Sequence, residues 1–236
     1  MRLLVTRPEP DALLLKARLE KLDHEVTVAP LLTLSFDDTE QIDLSEVQAL
    51  IATSRNGLKA LKAQNAHRIA ALLPIYVVGK ATEKDARALG FAEITTGNGT
   101  VASLVPEIIA TADPQSDLLL HLAGDEVAGN LAAELQQHGF RLLQPVVYRM
   151  VPATAFDPDT VEQLATGEID GVLLFSPRTA VIYAGLIKQH QLERAAQRLL
   201  HVCLSPAVAR RLAPLGAIRT ETAAAPTLEA MLDLLE

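Results

Sequence analysis

The sequence predicts a mixed α/β protein of two similar domains, each a parallel β-sheet flanked by helices. Three observations lead to this prediction: short apolar runs alternate with segments of helical periodicity, the apolar residues are mostly aliphatic, and the same order of elements occurs twice. Alternating strands and helices are typical of parallel sheets with helices on both faces. Strands buried on both sides form continuous Val, Ile and Leu runs of this kind.

Composition limits the classes of function. Hydrophobic residues make up 49% of the 236 residues and aromatic residues only 3%, so the cores must be aliphatic. The formal net charge of −8 argues against a nucleic-acid partner. The single cysteine, Cys203, rules out an intramolecular disulfide and fits a reducing compartment.

No apolar run approaches the roughly 18 residues of a membrane span, and the N-terminal apolar run is too short for a signal peptide. We therefore expect a cytoplasmic protein without a membrane partner.

Eight apolar runs are the candidate strands, and most precede a turn or cap signal and then a helical repeat such as Ala12, Leu15 and Leu19. The strong candidates are residues 3–5, 49–52, 75–78, 118–122, 171–175 and 202–204, and the weaker ones are 93–95 and 217–220.

The chain also repeats itself. The matched stretches, in order, are Leu15 and Leu19 with Leu131 and Leu135, Pro30-Leu31-Leu32 with Pro145-Val146-Val147, Ala52-Thr53-Ser54 with Leu174-Phe175-Ser176, and residues 78–90 with 204–216. Chance similarity between aliphatic α/β segments is the alternative, but four matches in the same order favour duplication. Two extended segments, residues 26–36 and 142–152, occupy the same place in each copy and are interpreted as a two-stranded linker. The predicted domains are residues 1–33 plus 153–236, and residues 36–149.

Polar and glycine residues follow the predicted strands. Ligands of open parallel sheets bind beyond the carboxyl ends of the strands, where free N–H groups and helix N-termini favour anions. The candidate substrate-binding residues are Thr6, Arg7, Ser54, Arg55, Asn56, Gly79, Thr82, Asn98, Thr100, Gly124, Ser176, Pro177 and Ser205. The alternative interpretation is that these hydroxyls and amides only cap helices and that the glycines and prolines only form turns. Because seven such loops are expected at one side, we predict an anion-binding cleft between the domains.

Several chemistries lack a motif. The six histidines show no metal-ligand spacing, so we expect no metal site. Gly97-Asn98-Gly99 lacks the third glycine of a dinucleotide fingerprint, and no P-loop is present. Ser54 and Ser176 lack the glycines of a nucleophile elbow, and Cys203 lies in an apolar strand. His121 ends a strand and is either a cleft residue or a structural histidine.

Tyr183 is the candidate catalytic residue. It lies about two turns into the helix that begins after Ser176. A phenol is protonated at neutral pH and can give a proton to a leaving hydroxyl. The alternative is a core tyrosine whose oxygen reaches water.

These motifs, in this order, resemble the uroporphyrinogen-III synthase family over nearly the full length. The residues that carry the resemblance are Val5-Thr6-Arg7-Pro8, Pro30-Leu31-Leu32, Thr53-Ser54-Arg55-Asn56-Gly57, Val78-Gly79-Lys80-Ala81-Thr82, Leu89-Gly90-Phe91, Gly139-Phe140, Val147-Tyr148 and Phe175-Ser176-Pro177.

The resemblance implies two flavodoxin-like α/β domains and a cofactor-independent cyclising lyase of tetrapyrrole (haem, sirohaem or cobalamin) biosynthesis. Its substrate would be hydroxymethylbilane, a linear tetrapyrrole with many carboxylates. The product would be uroporphyrinogen III, formed with loss of water and inversion of ring D. In this interpretation Tyr183 assists departure of the hydroxyl, and the chain acts as a monomer. Two alternatives stay open: a non-catalytic two-lobed module that binds an anionic small molecule, and another enzyme on a flavodoxin-like scaffold.

Overall fold

The computed structural model describes residues 1–36, 41–127 and 129–235, and the chain in it divides into two compact units. Unit 1 comprises Met1–Thr33 and Val151–Glu236, and unit 2 comprises Leu34–Met150. Unit 1 is therefore discontinuous in sequence, because unit 2 is inserted after its first 33 residues. Within the described ranges, no helix has the length and apolarity needed to cross a membrane.

Unit 1 contains a five-stranded sheet in which every neighbouring pair of strands is parallel. Its strands are β1 (Arg2–Val5), β2 (Glu25–Val28), β11 (Gly171–Leu174), β12 (Leu200–Cys203) and β13 (Arg219–Thr222). The spatial order is β13-β12-β11-β1-β2, which is the 2-1-3-4-5 order of doubly wound, flavodoxin-like sheets. Its helices are α1 (Asp11–Glu20), α7 (Pro158–Thr166), α8 (Pro177–Gln189), α9 (Glu193–Ala196), α10 (Pro206–Ala209) and α11 (Leu228–Leu232), with 3₁₀ turns at Arg210–Leu215 and Asp233–Leu235.

Unit 2 contains a second five-stranded parallel sheet, in the order β6-β5-β4-β7-β9. Its strands are β4 (Val47–Ala52), β5 (Ile75–Val77), β6 (Ile94–Thr96), β7 (Leu118–His121) and β9 (Leu142–Leu143). Its helices are α2 (Arg55–Ala63), α3 (His67–Ala70), α4 (Lys80–Ala88), α5 (Leu104–Thr111) and α6 (Leu131–Gln137), with a 3₁₀ turn at Val101–Ser103.

The two sheets share one topology once the chain of unit 1 is entered at β11. Each strand of unit 1 then has a counterpart at the same place in the sheet of unit 2: β11 corresponds to β4, β12 to β5, β13 to β6, β1 to β7 and β2 to β9. These pairs join the same stretches that match in sequence, for example β4 with β11 through Ala52 and Leu174. The shared strand order therefore supports duplication of one folding unit.

Three further strands form a small sheet in the order β3-β10-β8. They are β3 (Leu32–Phe36), β8 (Ala123–Gly124) and β10 (Val146–Pro152), and β8 pairs in parallel with β10. The extended segments at 26–36 and 142–152 are thus not linker throughout. The first part of each is an edge strand of a large sheet, namely β2 and β9, and only the second part belongs to the small sheet.

Helices cover both faces of each large sheet, so consecutive strand residues are buried on opposite sides. In β1, Leu3 and Val5 pack with Leu15 and Leu19 of α1, whereas Leu4 belongs to the cluster on the other face. In unit 2, β4 divides in the same manner: Leu50 packs toward α2 and α4, and Ile51 toward α5 and α6. Both-face burial explains why the strands are continuous aliphatic runs.

Gly57 provides a test of packing in unit 2. A methyl group added there would lie 2.7 Å from the carbonyl oxygen of Leu122 and 2.9 Å from its Cβ. We expect Gly57→Ala to lower the free energy of unfolding by about 1–3 kcal/mol, because backbone must move to admit the methyl group. The measurement is urea unfolding followed by circular dichroism.

The matched control is Gly185→Ala in α8, where an added methyl group meets no atom within 4 Å. This change is expected to stabilise the helix by about 0.5–1 kcal/mol, the usual gain from replacing a helix-interior glycine. Equal stability of the two variants would contradict the proposed close approach of α2 to the end of β7.

Candidate functional site

The topology of each sheet selects one edge as the candidate site. In unit 1, β1 and β11 are neighbours, and the chain leaves them toward opposite sides of the sheet. In unit 2, β4 and β7 have the same relation. The carboxyl ends of such strand pairs form the crevice in which doubly wound sheets bind ligands. The loops that follow these four strands are therefore the candidate binding loops.

The loop after β1 holds one buried and one accessible candidate. Thr6 is fully buried, and its hydroxyl donates to the carbonyl oxygen of Leu173 at 2.8 Å, which ties β1 to β11. Arg7 is partly exposed; its guanidinium lies 4.7 Å from the ring centre of Phe175 and pairs with Asp11 at 2.7 Å. Stacking and pairing together hold the Arg7 side chain across the ends of both strands.

Hydroxyl residues begin the helices that follow β11 and β12. Ser176 is the N-cap of α8, and its Oγ accepts from the backbone N–H of Thr179 at 3.1 Å. Pro177 is exposed at the first helical position. Ser205 precedes α10 in extended conformation and makes no side-chain cap hydrogen bond. The capping interpretation therefore holds for Ser176 but not for Ser205.

The loop after β4 begins α2. Ser54 is the N-cap, and its Oγ accepts from the backbone N–H of Asn56 at 3.2 Å. Arg55 is exposed, and its Nε lies 2.5 Å from Oδ2 of Asp85 in α4. The side-chain amide of Asn56 lies 3.7 Å from Sδ of Met150.

The loops after β5 and β6 approach each other closely. A methyl group on Gly79, the N-cap of α4, would lie 3.6 Å from Cα of Gly99, which has the positive φ of 100° that favours glycine. Asn98 and Thr100 are exposed beside it, joined by a 3.3 Å hydrogen bond from the threonine hydroxyl to the asparagine Oδ1. Thr82 is only 7% exposed and faces the core. The accessible groups here are thus backbone N–H groups, Asn98 and Thr100.

Gly124 is buried against Tyr148 and is not accessible to a ligand. It is buried in β8, and a methyl group there would lie 2.6 Å from ring atoms of Tyr148. The tyrosine ring occupies the space that any other residue would need.

The structure does not place Tyr183 at this edge. Its side chain is fully buried in the core of unit 1, packed edge-on against Phe156 and His201. Its hydroxyl lies 3.2 Å from Nε2 of His201, while Nδ1 of that histidine lies 3.2 Å from the carbonyl oxygen of Arg219. Because a carbonyl can only accept, Nδ1 carries the histidine proton and Nε2 accepts the tyrosine O–H. Burial also raises the pKa of Tyr183 above its usual value.

The direction of α8 explains this position. The helix begins at the carboxyl edge of the sheet and runs back along it, so at about 1.5 Å per residue Tyr183 lies about 9 Å below Pro177. Its partner His201 is the second residue of β12, and that histidine in turn contacts the first residue of β13. The hydroxyl therefore points toward the amino half of the sheet. The structure therefore places Tyr183 in the core, as in the alternative interpretation, except that its oxygen contacts His201 rather than reaching water.

His121 has contacts at the unit 2 edge that the sequence did not predict. It is 1% exposed at the end of β7. Its Nε2 lies 2.9 Å from Oγ1 of Thr53, and its Nδ1 lies 2.8 Å from Nε2 of Gln144. Burial lowers the pKa of His121 from 6.5 to about 4, so the imidazole is neutral at physiological pH. The sequence signal was only its position at a strand end.

Metal-ligating residues do not cluster in the described part of the chain. No three His, Cys, Asp or Glu side chains there are grouped closely enough to hold a metal ion. The accessible groups at both edges include backbone N–H groups, hydroxyls, amides, two ion-paired arginines and the exposed Lys80 at the start of α4. At the N-termini of α2, α4 and α8, such groups favour anions by about 0.3–1 kcal/mol per exposed charge.

The buried histidine predicts a pH dependence of stability. The unfolded chain protonates His121 below about pH 6.5, the folded chain only below about pH 4, so the unfolded state holds the extra proton in between. The free energy of unfolding should therefore fall by about 3 kcal/mol through this residue as pH drops across that window. Urea midpoints between pH 7.5 and 4 measure this loss.

His121→Gln should remove this contribution and flatten the pH profile relative to the unmodified protein. The control is His138→Gln, which replaces an exposed histidine after α6 and should leave the profile unchanged. A profile of His121→Gln that parallels that of the unmodified protein would contradict the neutral, buried imidazole.

Comparisons with known proteins agree with the fold. A family model described as uroporphyrinogen-III synthase HemD matches residues 14–233. The solved uroporphyrinogen-III synthetase of Helicobacter pylori aligns with 18% identity and a TM-score of 0.64, covering 100% of this chain and 98% of the other. A mutant uroporphyrinogen-III synthase of Thermus thermophilus aligns with 19% identity and a TM-score of 0.54, covering 100% and 97%. Comparison with curated proteins found no match.

At these identities the solved structures establish the α/β fold, and the match of the family model over nearly the whole length establishes more. The sequence resemblance is thereby confirmed, together with the cofactor-independent cyclising lyase activity in tetrapyrrole biosynthesis that it implies. The chain belongs to the uroporphyrinogen-III synthase family.

Proposed function

We propose that this chain converts hydroxymethylbilane to uroporphyrinogen III as a monomer, and that the carboxyl edges of both units supply the donors that bind the substrate. The observation that carries this proposal is the family match over residues 14–233. The site geometry supports it, because both edges offer neutral donors and helix N-termini suited to a molecule with many carboxylates.

The reaction demands little from side chains. The nitrogen of the terminal pyrrole can expel the hydroxyl, which leaves as water after gaining a proton, and the ring becomes an azafulvene cation. Attack by the substituted carbon of ring D gives a spiro-pyrrolenine, which fragments and recloses with ring D inverted. The protein's task is to hold the linear chain so that the crowded carbon is within reach of the cation.

The accessible candidates are the residues proposed to hold the substrate. They are Arg7, Ser176, Pro177 and Ser205 in unit 1, and Ser54, Arg55, Asn56, Gly79, Asn98 and Thr100 in unit 2. Thr6, Thr82 and Gly124 are buried and are proposed to act only by shaping the loops that carry these groups. At Gly79 and Pro177 the contribution is backbone, since neither residue has a polar side chain.

The product isomer tests the proposed function. Purified protein supplied with fresh hydroxymethylbilane should give uroporphyrinogen III, because unassisted closure gives only isomer I. Oxidation of the product and chromatographic separation of the two porphyrin isomers measure the ratio. Isomer I alone would contradict the proposal and favour a binding module without chemistry.

Tyr183→Phe separates packing from catalysis at that residue. Because the hydroxyl is buried against His201, we expect the rate of isomer III formation to stay within about twofold. Stability should fall by about 1–3 kcal/mol, since Nε2 of His201 loses its donor. The measurements are initial rates and urea unfolding. A rate loss of a hundredfold or more in a fully folded variant would instead establish the proton-donor role predicted from the sequence.

A further inference from the structure

We propose that Thr53 is a carboxylate-binding residue of the unit 2 edge, and that His121, held by Gln144, is a positioning residue that fixes the Thr53 hydroxyl as a donor. The inference rests on the proposed function, because the carboxylate belongs to hydroxymethylbilane. Thr53 lies outside the set of residues predicted from the sequence to bind the substrate.

Three adjacent strands bring the residues together. In the sheet, β4, β7 and β9 are neighbours, and Ile51 of β4 lies opposite His121 of β7. Leu120 lies opposite Leu143, so the next residue along, Gln144, comes beside His121. Thr53 follows directly after β4. The three side chains therefore meet where the strands end, which is the edge that binds ligands in sheets of this topology.

Hydrogen-bond chemistry fixes the direction of each bond. An amide nitrogen can only donate, so Gln144 Nε2 donates to Nδ1 of His121 across 2.8 Å. The neutral imidazole then carries its hydrogen on Nε2 and donates it to Oγ1 of Thr53 across 2.9 Å. Thr53 thus receives a hydrogen bond from the interior and keeps its own hydrogen for another acceptor.

The Thr53 hydrogen has no acceptor within the described ranges of the chain. The side chain is partly exposed, whereas the histidine behind it is 1% exposed. A hydroxyl with a buried donor on one side and an open edge on the other presents a directed O–H to the ligand. Donation to a carboxylate is the stronger, charge-assisted kind of hydrogen bond.

The equivalent position in unit 1, where β11 and β1 end, shows that the fold itself does not require this arrangement. We call this position in each unit the corner. In the repeat, Thr53 corresponds to Phe175, and β7 corresponds to β1, which ends in Val5. Phe175 is covered by the guanidinium of Arg7 rather than joined to a histidine. The same scaffold is therefore built with an apolar corner in one copy, so the polar corner of the other copy is available for function.

The primary test replaces the hydroxyl with a methyl group of the same shape. Thr53→Val should raise KM for hydroxymethylbilane about tenfold or more, with kcat within about threefold, because a hydrogen bond to a charged group is lost from substrate and transition state alike. Thr53→Ser keeps the hydroxyl and should restore KM to within about threefold of the unmodified value.

The matched control is Thr111→Val at the end of α5, whose hydroxyl lies 2.7 Å from that of Tyr76. It removes a threonine hydroxyl from the same unit but away from the carboxyl edge, so KM should not change. An unchanged KM in Thr53→Val, or an equal rise in Thr111→Val, would overturn the assignment of Thr53.

A spectroscopic test addresses His121 without any assay. Imidazole ¹⁵N shifts of the uniformly labelled protein should show the neutral tautomer with hydrogen on Nε2, whereas hydrogen on Nδ1 would overturn the positioning role. Gln144→Leu should raise KM in the native background and add less than twofold in Thr53→Val, since its effect passes through Thr53. Full additivity would also overturn that role.

Failure of this inference and failure of the proposed function give different results. If the unmodified protein makes only isomer I, the function is wrong, although the tautomer measurement is unaffected. If it makes isomer III and Thr53→Val retains the native KM, only the present inference is wrong.

Discussion

Burial of both faces of each sheet is the constraint on which the rest of the structure depends. Strand side chains pack alternately against helices on opposite faces, as Leu3 and Leu4 do in unit 1 and Leu50 and Ile51 do in unit 2. An aliphatic strand that is covered on both sides has no side chain left for a ligand. Polar groups can be presented only where strands end and helices begin. The candidate site is therefore made of loops, caps and backbone N–H groups, and the sheets hold them in place.

Duplication supplies two such edges and leaves them free to differ. The scaffold is common, since both sheets share one strand order when the chain of unit 1 is entered at β11. The residues at the two corners differ. Ser54 and Ser176 cap equivalent helices, but the residues before them are Thr53 and Phe175. Packing fixes the shared cap because a helix N-terminus needs it. The preceding position does not carry this demand, which is why one copy uses a hydroxyl and the other an aromatic ring.

The sequence predicted the parts of the fold that arise from local pattern. All eight predicted runs overlap strands; the six strong ones are aliphatic because the strands are buried on both faces, whereas the two weaker ones overlap the less buried edge strands β6 and β13. It did not separate the edge strands β2 and β9 from the linker, since both are less buried than the central strands and resemble any extended segment.

The sequence predicts which loops follow the strands, but not the direction of the side chains in those loops. Thr6 and Thr82 follow strands as expected but are buried, because the direction of a side chain at the end of a strand depends on packing and not on sequence position. Tyr183 shows the same limit on a helix, where one residue turns the side chain by about 100°. Val181 is exposed, yet Tyr183 two positions later is fully buried. The contact of His121 with Thr53 joins residues 68 positions apart and follows from strand register, which no local pattern encodes.

The charge state of the edges bears on how the proposed reaction can proceed. Expulsion of the hydroxyl creates a cation on the terminal ring, so an unpaired arginine beside that ring would raise the energy of the intermediate. Arg7 and Arg55 are each paired with a carboxylate, Asp11 and Asp85, and the neutral His121 adds no charge behind Thr53. Hydroxyls, amides and helix N-termini can hold carboxylates while placing only partial charges near the reacting carbon. In the proposed function, a site built mainly from such donors would bind a highly anionic chain with little opposition to the cation that must form on it.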